Sequence, residues 1–162
     1  MSYTQYRIFC APAGSLDQER DAFYKVVGQV NEELAMPRDV LLVSVALPPS
    51  CADKRGFQGA IDENIRACTF YIQLVEDTWG PPQLNWEREY ALANRCVRDS
   101  EMPMKEVLLL FKTPLLPHRV EPEIQAMRTA QAENLNEFET LEEFNRILRA
   151  KLTDWLERVA PQ

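Results

Sequence analysis

Residues 70–75 read FYIQLV and are followed at 76–80 by EDTWG. The run is short, rich in β-branched and aromatic side chains, and lacks polar alternation. It ends in an acidic, glycine-containing corner. That is the signature of a strand covered on both faces rather than of a half-solvated one. Three further runs share it: residues 6–11 (YRIFCA), 40–47 (VLLVSVAL) and 107–111 (VLLLF). Val43 and Leu109 are expected inside the core on this reading.

Stretches of helical length and period separate these runs. Residues 15–35 carry Leu16, Phe23, Val26, Val27, Val30 and Leu34 on one face, with Ser15 and Gln18 spaced as a capping box. Residues 56–68 carry Phe57, Ile61 and Ile65. Residues 84–99 form a third helix, and residues 123–135 a weakly amphipathic fourth. Residues 140–159 carry Leu141, Phe144, Leu148, Leu152, Trp155 and Val159, with Thr140 and Glu143 as a second capping box. Residues 114–122, PLLPHRVEP, read as a loop, and a fifth strand can only be residues 136–139, around Phe138. Strand and helix alternate, so right-handed crossovers and a parallel sheet between two helical layers follow. The expectation is one α/β domain over residues 1–162: a flavodoxin-like three-layer sandwich with a central parallel sheet of four or five strands.

Composition narrows the partners. The 162 residues include 25 acids and 18 bases, for a formal charge of −7. No Lys/Arg cluster offsets that charge, which disfavours nucleic acid. The apolar runs are far shorter than a bilayer span, and the first residues lack a basic segment leading into a long apolar one. A cytoplasmic protein with no membrane partner is expected, with Cys10, Cys51, Cys68 and Cys96 as reduced thiols.

Ligands of such sheets bind beyond the carboxyl ends of the strands, where the strand order reverses. Three segments should lie there: residues 11–15 (APAGS), residues 76–82 (EDTWGPP), and the start of the helix in residues 84–97, LNWEREYALANRCV. On that helix the face from Trp86 runs through Glu89, Tyr90, Ala93, Cys96 and Val97, while Arg88, Ala91, Asn94 and Arg98 share the polar face. Glu89 is therefore a carboxylate on an apolar stripe. It is read either as an acid of raised pKa, suited to proton transfer or to steadying a ribosyl cation, or as a structural acid at the positive end of a helix.

The loop from Pro12 through Gly14 to Ser15 places Gly14 just before a helix N-terminus, where free backbone N–H groups could receive a phosphate, although Gly and Ser there are also ordinary punctuation. The Lys-Ser/Thr ending of a P-loop is absent. The GFQG stretch (56–59) reads as the start of a helix. Asp77 and Trp79 close a buried strand, with Trp79 as a stacking wall or as the rim of the core. His118, the one histidine, lies in a Pro-flanked loop, so neither a catalytic triad nor a His-ligated metal is supported. Cys10 reads as a small core residue.

The succession YRIFCAPAGSLDQERDAFYKVVGQVN, FQGAIDENIRACTFYIQLVEDTWG and NWEREYALA resembles TIR-like domains of unknown function at the N-terminus of STAND-type NTPases and repeat proteins. The resemblance covers about residues 6 to 112. That superfamily also holds TIR domains and nucleoside deoxyribosyltransferases, in which a glutamate early in the helix after the third strand acts at a ribose; Glu89 is the matching position. The resemblance implies Pro12, Gly14 and Ser15 beside a ligand and Trp79 near its base; an enzyme at this site would have Trp79, Trp86 and Tyr90 as walls, with Asp77 as a further ligand-binding candidate. The first strand ends in FCAPAG where the family has a Ser-rich run. Three functions are implied. The first is a signalling or bacterial-defence effector acting by self-association or by docking to a STAND-type or repeat module. The second is an NAD+ glycohydrolase, with NAD+ as substrate and no cofactor or metal required. The third is a nucleoside deoxyribosyltransferase or hydrolase.

Overall fold

A computed structural model of the chain describes residues 2–14, 16–46, 57–80 and 86–161, without the side chain of Phe57. Its strands are β1 (Thr4–Pro12), β2 (Val40–Val45), β3 (Phe70–Val75), β4 (Glu106–Lys112) and β5 (Glu137–Phe138). Its helices are α1 (Asp17–Val30), α2 (Phe57–Ala67), α3 (Trp86–Arg98), α4 (Pro122–Ala130) and α5 (Leu141–Val159). All strand pairs are parallel, in the order β2-β1-β3-β4-β5. This is the flavodoxin-like α/β sandwich expected from the four apolar runs, and the fifth strand forms around Phe138.

The period of a strand sends alternate residues to opposite faces. Ile8, Cys10, Phe70, Ile72, Leu74, Leu108 and Leu110 pack on one side, against Phe23, Val26, Val27 and Val30 of α1 and Phe144, Leu148, Leu152 and Trp155 of α5. Phe70 stacks on Trp155 with ring centroids 4.3 Å apart. Phe9, Ala11, Tyr71, Val75, Leu109 and Phe111 pack on the other side, against Ile61 and Ile65 of α2 and Leu92, Ala93 and Cys96 of α3. Cys10, Cys68 and Cys96 are free and buried; Cys51 lies outside the described residues.

The Ser15 end of the capping box expected for α1 lies outside the described residues. Three local expectations are corrected. α1 does not run regularly to Ala35: a π turn (Asn31–Ala35) and a 3-10 turn (Met36–Arg38) follow it, and Asp39 ends the segment at φ 57°. Pro37 explains the break, since it offers no N–H for a further helical bond. Val43 is only half-buried because β2 is an edge strand, whereas Leu109 is buried. Leu141 is exposed at the start of α5, where Thr140 caps the Glu143 N–H at 3.1 Å. Among the described residues no helix is long and apolar enough to cross a membrane.

Candidate functional site

The order of strands reverses between β1 and β3, and the chain leaves the two strands there as adjacent turns. Pro12 is the last residue of β1, buried and in register with Leu74, and the Ala13 N–H donates to the Leu74 carbonyl at 2.9 Å. Gly14 follows at φ +84° and Gly80, in the turn after β3, has φ +89°. Both values lie in the left-handed region that favours glycine. The turns also touch: a Cβ on Gly80 would stand 3.2 Å from the Gly14 nitrogen. Gly80 is thus the partner of Gly14.

Glu121, just ahead of α4, clamps the second turn. Its N–H donates to the Asp77 carbonyl at 2.8 Å, and its carboxylate accepts from the Thr78 hydroxyl at 2.5 Å and the Trp79 N–H at 3.5 Å. Asp77 is thus held through its backbone and half-buried, while the Trp79 ring is buried against Tyr90, centroids 5.9 Å apart. Trp86, the first residue of α3, is buried edge-on to Phe9, 6.3 Å away. The two indoles are core walls, and their Nε1 atoms have no hydrogen-bond partner among the described residues.

Glu89 lies one turn into α3, on the stripe with Trp86, Ala93 and Cys96, and is 1% exposed. Its partners come from α2. The Gln58 amide donates to Glu89 Oε1, and also to Asp62 Oδ1 at 3.4 Å. Arg88 reaches Asp62 Oδ2 at 3.0 Å, with Glu89 Oε1 at 3.7 Å. Glu89 Oε2 receives no N–H or O–H donor among the described residues. Two carboxyl groups meeting this way cannot both stay charged at ordinary pH. Burial first, then the Asp62 carboxylate, push Glu89 up to about 8. Asp62 is held below its usual value: burial opposes this, but a hydrogen bond from protonated Glu89, the Gln58 amide and the Arg88 guanidinium outweigh it. The pair is therefore an acid and an anion side by side, the division of labour that acid–base sites use.

A buried polar chain lies on the same face of the sheet. Tyr71 donates to Gln73 Oε1 at 2.7 Å, and the Gln73 amide donates to the carbonyls of Ala11 (2.9 Å) and Leu74 (3.2 Å). Burial, then the nearness of Glu89, push the Tyr71 phenol well above its ordinary range, so it remains a neutral donor. Burial does the same to thiols: Cys10 is raised far out of the reactive range and Cys68 to about 12, which makes neither a nucleophile. His118 is exposed in the 3-10 turn Pro117–Arg119. Among the described residues no cluster of His, Cys, Asp or Glu is arranged to hold a metal.

The structure thus gathers Pro12, Gly14, Asp77, Trp79, Trp86, Glu89 and Tyr90 at one end of the sheet; Ser15 lies outside the described residues. Sequence reasoning missed Gln58, Asp62, Arg88, Gln73 and Glu121. Gln58 and Asp62 are one helical turn apart, beside the apolar Ile61 and Ile65, a spacing that puts them on one face of α2 without pointing to Glu89.

No family model matches the chain, and no curated protein matches it. Among solved structures, translation elongation factor SelB from Methanococcus maripaludis, in its apo form, is similar over 95% of this chain and 36% of its own length, with a TM-score of 0.49 and 10% identity. So remote a likeness says nothing of function.

Proposed function

We propose that this chain is a TIR-like effector domain whose carboxyl-end crevice takes a nucleotide, and that with NAD+ it cleaves the bond between ribose and nicotinamide. The observation that carries this reading is Glu89: a carboxyl buried at the reversal of strand order beside Asp62, pushed up by burial and by that neighbour, at the position where the resemblance expects the ribose-directed glutamate.

The chemistry asks little of the protein. The C1′–N bond breaks with its electron pair going to the pyridine nitrogen, which releases neutral nicotinamide and leaves an oxocarbenium-like ribosyl group. Water adds at C1′ and loses a proton. A cationic substrate set against Glu89 favours the ionised carboxylate, so binding expels the proton that burial retains. The carboxylate then steadies the developing positive charge in a low-dielectric wall of Trp79, Trp86 and Tyr90. The Gly14 turn offers the phosphates backbone N–H groups. No metal or cofactor has a part in this scheme.

Nicotinamide release is the test, followed by chromatography for the wild type, Glu89→Ala and Glu89→Gln at high protein concentration. Release by the wild type, lost in both folded variants and rising with pH as Glu89 ionises, is the expected result. No release from folded, assembled wild type refutes the enzymatic reading. A covalent glycosyl adduct on Glu89 would instead mark a deoxyribosyltransferase.

One observation favours a second reading, a docking module. Leu115 is 85% exposed and Leu116 39%, beside exposed His118 and Arg119, on a loop at the same end of the sheet. A basic, apolar tip on a chain of charge −7 suits an acidic partner, a second copy or a STAND-type or repeat module among them. Leu115→Glu should abolish association and leave Glu89 chemistry intact; unchanged association removes this reading.

A further inference from the structure

A strand at the edge of a sheet exposes a row of unpaired N–H and C=O groups, and proteins blunt such edges with charge, proline or bulges. β2 is an edge and reads VLLVSV, with none of these devices. In a parallel strand the N–H and C=O of one residue point to the same side, and successive residues alternate. The Asp39 carbonyl accepts from the Thr4 N–H of β1 at 2.9 Å, so odd-numbered residues here face β1 and even-numbered ones face outward.

The outward residues are not bare. The Leu42 N–H donates to Asn31 Oδ1 at 2.8 Å, and the Asn31 amide donates back to the Leu42 carbonyl at 2.9 Å. The Ala46 N–H donates to the Tyr24 hydroxyl at 2.9 Å, and that hydroxyl donates to the Ala46 carbonyl at 2.7 Å. Each side chain presents an acceptor and a donor to one residue, as the peptide groups of a neighbouring strand would. The spacing fits. Tyr24 and Asn31 are about 10.5 Å apart along the helix, Leu42 and Ala46 about 13 Å apart along the strand, and the two segments run in opposite directions. Asn31 opens the π turn, the point where the segment leaves regular α geometry beside the edge.

We propose that Asn31 and Tyr24 stand in for a missing strand and close the β2 edge against strand addition by a second copy of this chain. Between them, Ser44 is the residue whose outward groups have no partner among the described residues, and one residue is too few to seat a strand. A partner strand would first have to break four hydrogen bonds. Copies therefore associate through a surface other than this edge, whatever the crevice at the other side of β1 binds.

Amide exchange by NMR on the whole chain tests the guard directly. In the wild type, the Leu42 and Ala46 amides should exchange about tenfold or more slower than the Ser44 amide, the factor given by a hydrogen bond worth about 1.4 kcal/mol. Tyr24→Phe should release Ala46 alone, and Asn31→Ala Leu42 alone. The double variant should then self-associate more strongly than the wild type in analytical ultracentrifugation, and Ser44→Pro, which blocks an outward N–H, should reverse this. Leu42 and Ala46 exchanging as fast as Ser44 would overturn the proposal. So would a folded double variant no more associated than the wild type. If the double variant fails to fold, exchange in the two single variants decides.

Discussion

Replacing Glu89 by Gln should change how the stability of this protein depends on pH more than how stable it is at neutrality. Glu89 titrates at about 8 in the folded chain against 4.5 for an ordinary glutamate. Between those values the folded state holds a proton that the unfolded state has lost. Stability is therefore greatest below the unfolded value and falls as pH rises towards the folded one, by up to about 1.4 kcal/mol per pH unit for one such group. The full shift would give about 4 kcal/mol between pH 5 and 9, and water drawn to the pair as Glu89 ionises reduces this to a loss on the order of 3 kcal/mol. A glutamine reproduces the protonated pattern: its amide can donate to Asp62 while its oxygen accepts from Gln58. It cannot ionise, so it escapes the loss. Urea melts of wild type and Glu89→Gln at half-unit pH steps isolate the term, because every other titrating group is common to both. The variant should match the wild type within about 1 kcal/mol near pH 5 and exceed it by roughly 2–3 kcal/mol at pH 9. Stability curves that stay parallel over that range would refute a proton held on Glu89.

Three further outcomes follow from the fold. Gly80→Ala should lower stability by about 1–3 kcal/mol, since its φ is +89° and the new Cβ meets the Gly14 nitrogen at 3.2 Å; Gly28→Ala, in the interior of α1 with nothing within 4 Å, should raise it by about 0.5–1 kcal/mol. Opposite signs in thermal melts are the check. Lys112→Met removes the 2.8 Å partner of buried Glu19 and should cost roughly 2 kcal/mol or more, which a second change, Glu19→Leu, should largely restore. Leu109→Ala should cost about 2–4 kcal/mol and Val43→Ala less, because Val43 is half-exposed; equal losses would put β2 in the interior.

Strand identity was legible because a strand covered on both faces has to be apolar throughout, and β1, β3 and β4 fall on their apolar runs with ends shifted by at most two residues. The placement of Glu89 was legible from helical period alone. Its partners were not: Gln58 and Asp62 sit on α2, and their approach to α3 depends on how two helices pack across β3, a distance that spacing along one helix cannot report. The regular end of α1 was misread for a different reason, since apolar period continues through Leu34 while Pro37 and the π turn obey backbone hydrogen bonding. Gly14 and Gly80 each looked like ordinary punctuation. Only their contact makes them special.

That contact has a mechanical meaning. Gly80 meets Gly14 backbone to backbone, and beside them the branched, stiff Thr78 side chain is the one that faces Gly14. A displacement of the first turn is passed to the second, then through Thr78 and Asp77 to Glu121 and the start of α4. The crevice and the exposed Leu115 loop, which connects β4 to that same helix start, are thus two ends of one short rigid linkage, and a molecule that moves one end has a stiff route to the other.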